Sequence, residues 1–344
     1  MEVARQRIVE SRDAASDGDT ASLPVRSSSS DGFVLAKRER SSSTSSIDSM
    51  DSTLSQLIPA CVWKVVSFDS LPSWLKDNEY LIHGHRPPMP SFSKCFGTMF
   101  RLHTETWNIW THLVGVVMFC VLALCVYVFR MSKIGELPWG EQLITGVFFL
   151  GAIACLCFSF LFHTFSNHSE DVARLFCRLD YSGITALITC SCIPCYYFSF
   201  YCATFSRYLH IVVLIVLCAF CLVFSLIKRF ATPEFRVVRT IMFISFGFYS
   251  FIPGLQIVIQ HGFSYADTAY ALSGLLQMAS VYVSGASLYA ARIPERFFPG
   301  KFDIWASSHQ LFHICVLIAA CIHYDVINDM VSHRLSIGLD NCVV

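Results

Sequence analysis

Five polar side chains lie inside otherwise apolar stretches of the chain and have the chemistry to do work there: Ser159, His163, Asp180, His309 and His313. Ionisable groups within such stretches are costly and mark functional sites by default. Ser159 and His163 are four positions apart, as are His309 and His313, so each pair shares one face of a helix. Two imidazoles at i and i+4 can chelate one metal ion, an arrangement that zinc proteases also use. His163 adds a third nitrogen. Three imidazoles and no thiolate suit Zn2+ with one coordination position left open. Zinc so held would polarise a carbonyl and activate water near neutral pH. Asp180 can serve as general base or orient that water, and Ser159 can hydrogen-bond the water or a substrate oxygen. Other readings of the same residues stay open at this point. They are helix–helix hydrogen bonding, a proton or ion pathway, and a zinc that only clamps helices together.

The elements that must position these residues follow from composition. Apolar residues are 54% of the 344 and charged residues only 15%, against roughly a quarter charged in a soluble domain. That deficit argues for membrane burial. The formal net charge of zero gives no reason to expect a nucleic-acid partner. Most of the sixteen cysteines, from Cys120 to Cys321, fall in apolar runs, where they behave as small buried hydrophobes. The polar, acidic start predicts no cleavable signal peptide.

Residues 1–56 are Ser- and Asp-rich and short of aromatics, so they are expected to form a disordered cytoplasmic tail. The serine run after Arg38 and Arg40 reads as a solvated linker before it reads as a phosphorylation site. Residues 57–106 are expected to be an ordered cytoplasmic segment. Within it Phe92, Phe96, Met99 and Phe100 recur at helical spacing, with Lys94 and Arg101 between them. This predicts a short amphipathic helix in the membrane interface over 92–103.

Seven apolar stretches follow, near 107–129, 143–166, 179–201, 208–227, 240–260, 266–291 and 304–324. Each approaches the ~20 residues that cross a bilayer core. The expected fold is therefore an all-α seven-transmembrane bundle over 107–330, with Pro194 and Pro253 bending two spans and 331–344 as an extracellular tail. With the N-terminus placed inside, the inner connections hold eleven Lys and Arg and the outer ones four. The bias assigns a cytoplasmic N-terminus and an extracellular C-terminus. In that orientation His163, Asp180, His309 and His313 all fall at similar depth in the cytoplasmic leaflet. Polar groups clustered at one depth, with no internal repeat, rank a transporter last. His103, His112, His168, His261 and His323 read as interfacial or loop histidines.

Long runs of the sequence resemble the adiponectin receptor branch of the progestin and adipoQ receptor family. They are Trp74 to Phe92, Phe100 to Thr106, Asn108 to Leu113, Leu161 to Thr164, Leu179 to Ile184, Arg229 to Pro233, and Leu288 to Trp305 leading into Ser308, His309, Gln310, Phe312 and His313. Together they cover about residues 60–330. The resemblance implies zinc ligands at His163, His309 and His313, a water-handling aspartate at Asp180, and the motif serine at Ser159. It departs at Trp107, where the family is expected to carry glycine. It further implies a plasma-membrane receptor for an adiponectin-like protein hormone, with a cytoplasmic adaptor at the N-terminal region and room for a homo-oligomer. At the zinc it implies hydrolysis of ceramide to sphingoid base and fatty acid, and signalling to lipid and glucose metabolism. A binding-only receptor with structural zinc is the alternative.

Overall fold

The computed structural model describes residues 63–338 and residue 342. The expected tail over 1–56 and its serine run lie outside these residues. Every regular element among the described residues is helical. A first helix α1, Phe92–Thr98, precedes α2, Thr106–Tyr127, and α3, Trp139–Phe165. Then come α4, Glu170–Ser199, and α5, Thr204–Leu226. The remainder are α6, Arg236–Tyr249; α7, Phe251–His261; α8, Phe263–Tyr270; α9, Leu272–Ala291; and α10, Ser308–Ile337.

Five helical stretches are long and apolar enough to cross a membrane: α2, α3, α5, the run Pro233–His261 that holds α6 and α7, and α10. The pair α8 and α9 passes the same test as one span bent by 74°. The predicted span at 179–201 lies in α4, which is 30 residues long but not among these. Its apolar run is diluted by Thr185, Thr189, Ser191, Tyr196 and Tyr197. The dilution has a physical reason: α4 packs on α3, α5, α6, α8 and α10, so its polar side chains meet protein rather than lipid. Thr185 and Thr189 are buried and bond back to the carbonyls of Tyr181 and Thr185. Small residues let the helices close up, as in membrane bundles generally. A Cβ at Gly183 would stand 2.9 Å from the Cα of Cys155, and one at Gly285 would stand 2.6 Å from the Cβ of Cys315. These two contacts seat α4 on α3 and α10 on α9.

Several expectations are corrected in detail. The interfacial helix ends at Thr98 rather than His103, although Phe92 and Phe96 are exposed on it as the amphipathic pattern requires. Pro194 lies inside α4 without ending it, and the break near Pro253 falls at Ser250. The sharp bend between α8 and α9 has no proline or glycine behind it. Ala271 takes the left-handed conformation there, and the Asp267 side chain accepts the Ser273 N–H of the new helix at 2.8 Å. The last helix runs to Ile337, so the boundary at 330 falls within it. Val326, Ile327, Met330 and Val331 are all buried on this extension. A disulfide joins Cys202, between α4 and α5, to Cys342.

Candidate metal centre

Two helix ends converge to build the centre. His163 lies two residues before the end of α3, and His309 and His313 occupy the first two turns of α10. The ligand nitrogens of the three lie within 4.8 Å of one another, and His163 and His313 are almost wholly buried. Three nitrogens each ~2 Å from one ion would stand under about 4 Å apart, so shifts of less than about 1 Å close the cluster on zinc.

A second observation fits a metal. Nδ1 of His163 lies 2.7 Å from Oε2 of Glu105, a carboxylate that can only accept, so Nδ1 carries the proton. Nε2 is then the lone-pair nitrogen, and it is buried with no hydrogen-bond partner among the described residues. A buried acceptor left unpaired is costly, and an ion shared with His309 and His313 would satisfy it. The donor set therefore fits Zn2+ held by His163, His309 and His313.

The surroundings hold the ligands in place. Asn108 Nδ2 donates to the same Glu105 oxygen at 2.8 Å. Burial alone would raise the Glu105 carboxyl, but His163, Arg86 and Asn108 hold it well below the ordinary carboxylate range. Arg86 is only 4% exposed and donates to the carbonyls of His163 and Thr164, to Thr98 Oγ1 and to Ser166 Oγ. It thereby satisfies carbonyls left free at the end of α3, where a cation is also favoured by the helix dipole. Burial pushes the Arg86 pKa down to about 10, partly offset by Glu105, so it stays charged at neutral pH. At the start of α10, the buried Glu295 accepts from Ser308 N at 2.8 Å, from the Ser308 hydroxyl, and from Asn78 Nδ2 at 3.0 Å. Asp303 accepts the backbone N–H groups of Ile82 and His83. The segment over 78–105 thus ties the end of α3 to the start of α10, the two places that carry the ligands. His112 stacks on His313 with centroids 3.7 Å apart and is buried, as are His103 and His323. His112 and His323 lie within α2 and α10 and so are not interfacial or loop histidines, whereas His103, though buried, is in the loop between α1 and α2.

Ser159 and Asp180 stand outside the three-nitrogen cluster but line one cavity with His309 and His313. Both are buried, and Asp180 faces Ser159, with His163 and Arg239 close enough to act on its charge. Arg239 lies over the Tyr181 ring at 4.6 Å and borders the same space. The cavity, about 190 Å³, continues away from the centre between α4, α6, α9 and α10 along apolar walls that include Ile184, Leu187, Met278 and Val316. A polar, metal-competent end on an apolar tunnel is the shape of a site for a lipid. Glu105, Arg86 and His112 carry no signal in the sequence taken alone. The hint that existed is a buried-looking carboxylate immediately before an apolar run, within a stretch shared with known receptors.

The haemolysin-III-related family model matches residues 100–324. The chain is 47% identical over 276 residues to "Progestin and adipoQ receptor-like protein 1" of Caenorhabditis elegans, covering 80% of this chain and 62% of that protein. It is 46% identical over 273 residues to the "Adiponectin receptor protein" of Drosophila melanogaster, covering 79% of this chain and 61% of that one. It is 31% identical to "Heptahelical transmembrane protein 4" of Arabidopsis thaliana, over 76% of this chain and 87% of that one. The chain spans about three-fifths of the length of the first two relatives. With most of its helical membrane region matched in this way, the chain belongs to the haemolysin-III-related family, that of the progestin and adipoQ receptors.

Proposed function

We infer that this protein is a seven-span plasma-membrane receptor for an adiponectin-like hormone, with a zinc-dependent amide hydrolase site for ceramide at the cytoplasmic end of its bundle. The observation that carries the reading is the cluster of His163 and His313, both buried, with the part-buried His309, which opens with Asp180 and Ser159 onto a largely apolar cavity. The seven spans are α2, α3, α4, α5, the α6–α7 run, the bent α8–α9 pair and α10. Two observations support a cytoplasmic N-terminus. The inner connections hold the Lys and Arg excess. The Cys202–Cys342 disulfide falls at the outer end, where an oxidising compartment lets it persist. A receptor role draws on the names of the relatives.

Bound zinc would supply Lewis acidity for a carbonyl and for water. The chain's own groups do the rest. The apolar walls hold the acyl chain and exclude bulk water. Asp180 takes a proton from the attacking water as its oxygen bonds to the amide carbon. As the C–N bond breaks, that proton passes to the departing amine, leaving sphingoid base and fatty acid. Ser159 holds Asp180 in orientation, and Arg239 borders the same cavity. The test is ceramide turnover by purified protein with and without Asp180→Asn, with zinc measured in both. Equal turnover with equal zinc would remove Asp180 from the mechanism. No turnover by either protein would remove the hydrolase reading, leaving zinc structural and the receptor a binding protein only. The orientation is tested separately by epitope tags at each terminus in intact cells. An accessible N-terminal tag with a protected C-terminal one would reverse it.

A further inference from the structure

Three arginines gather where α6 begins and α9 ends. Arg236 is the first residue of α6, Arg239 lies one turn further on, and Arg292 follows the last residue of α9. Arg239 and Arg292 both stand close enough to act on the charge of Arg236. This end of α9 also carries Tyr289, whose ring meets that of His309 with centroids 5.1 Å apart. The arginines therefore lie at the same end of the bundle as the metal centre.

Two of the three already have partners. Arg239 is buried, donates to the carbonyls of Phe230 and Thr232, and lies over the Tyr181 ring. Arg292 donates to the Asp77 carbonyl and lies 3.5 Å from a carboxylate oxygen of Glu79. Arg236 differs. Its guanidinium has no hydrogen-bond partner among the described residues, and Asp77, the carboxylate that acts on its charge, is exposed and makes no ion pair with it. Only Nε is shut off from solvent, and the residue as a whole is part-buried, so its two terminal nitrogens face open space. A part-buried cation without an anion is costly. Its planar fork matches two oxygens of a carboxylate or a phosphate.

The surroundings identify the anion. Val237 and Val238, the next residues of α6, are exposed, so Arg236 stands where the lipid-facing surface of that span begins. The segment after α9 exposes Phe297 and Phe298 between the exposed Arg296 and Lys301, and Lys228 and Arg229 are exposed ahead of α6, with Glu234 the exposed carboxylate among them. Cations and aromatic rings at helix ends suit the head-group layer of a bilayer. The anion at that depth is the lipid phosphate. We propose that Arg236, flanked by Arg292, binds the phosphate of an anionic phospholipid whose head group lies over the ends of α6 and α9. This site does not depend on what the metal centre does; it requires only that α6 and α9 cross the bilayer.

The test uses the full-length, zinc-loaded protein in detergent micelles. The probe is phosphatidylglycerol with a fluorescent acyl chain. Unlabelled phosphatidylglycerol, phosphatidylcholine of the same chains and inorganic phosphate compete with it. Phosphatidylglycerol should displace the probe roughly tenfold better than phosphatidylcholine, the worth of one charge-assisted hydrogen bond. Inorganic phosphate at the same concentration should leave the probe bound. Arg236→Gln should erase the difference between the lipids while zinc content and the thermal midpoint stay. Arg236→Lys, which keeps the charge and loses the fork, should keep part of it. Equal displacement by the two lipids overturns the site. A difference that survives Arg236→Gln also overturns it, and assigns the preference to the exposed cations nearby. Displacement by inorganic phosphate as strong as by phosphatidylglycerol makes the occupant a free anion and overturns the lipid.

Discussion

The two ends of the cavity are built in opposite ways. At the end that holds the histidine cluster, polar groups pin one another: His163 is held by Glu105, Glu105 by Asn108, the end of α3 by Arg86, and the start of α10 by Glu295. At the other end the walls are largely apolar, and the Tyr196 hydroxyl is buried with no hydrogen-bond partner among the described residues. The difference follows from what each end must hold. Metal ligands must stay within a fraction of an ångström of their geometry, which takes a supporting layer of fixed hydrogen bonds. An apolar wall needs only shape.

That contrast can be broken by substitutions of decreasing force. His309→Ala removes one of three nitrogens. Bound zinc should fall from about one per chain to near none, because two imidazoles hold the ion poorly; elemental analysis of the purified variant reads this directly. Stoichiometric zinc in a His163→Ala/His309→Ala double variant would sink the site altogether. Asp180→Asn leaves the cluster whole. Zinc content should stay, while ceramide turnover drops ~10²–10⁴-fold with loss of the base.

Glu105→Gln sharpens the comparison further. The amide is nearly isosteric, yet it can present an N–H to Nδ1 of His163 as readily as an oxygen, so the ring loses its fixed tautomer. Zinc affinity should weaken ~10–100-fold, measured by competition with a chelator. An unchanged affinity would mean that Glu105 only fills space. Arg86→Met should have the mildest effect on chemistry. It strips buried carbonyls and Glu105 of their cation, at a cost of about 3 kcal/mol in stability. A lowered thermal midpoint with full zinc at saturating metal is the expected result. Loss of metal without loss of stability would assign Arg86 to the centre itself.

Much of the helical scheme was legible because its signals are local. Apolar runs of span length lie where helices form, and the i, i+4 spacing of His309 and His313 puts them on one face whatever the rest of the fold does. The break at Ala271 was not legible, since the residues around it are ordinary helix formers. Its cause is a side-chain cap from Asp267 and the burial of Tyr270 and Leu272 on either side. The continuation of α10 past Tyr324 was masked by Asp325 and Asp329, which break the apolar run while Val326, Ile327, Met330 and Val331 keep a buried face. Cys202 and Cys342 gave no sign of pairing across 140 positions.

What the sequence determined by itself is the class of molecule and the residues able to do chemistry in it. Hydropathy is summed over a single helix, helical spacing repeats within a few residues, and the charge bias is counted loop by loop. The tertiary structure alone decided what holds that chemistry in place. Glu105 reaches His163 across 58 positions, Arg86 reaches the same residue across 77, and Asn78 reaches Glu295 across 217. Such contacts depend on which helix ends the packing brings together. A buried charge or an unpaired hydroxyl acquires its meaning only from the neighbour that packing supplies or withholds.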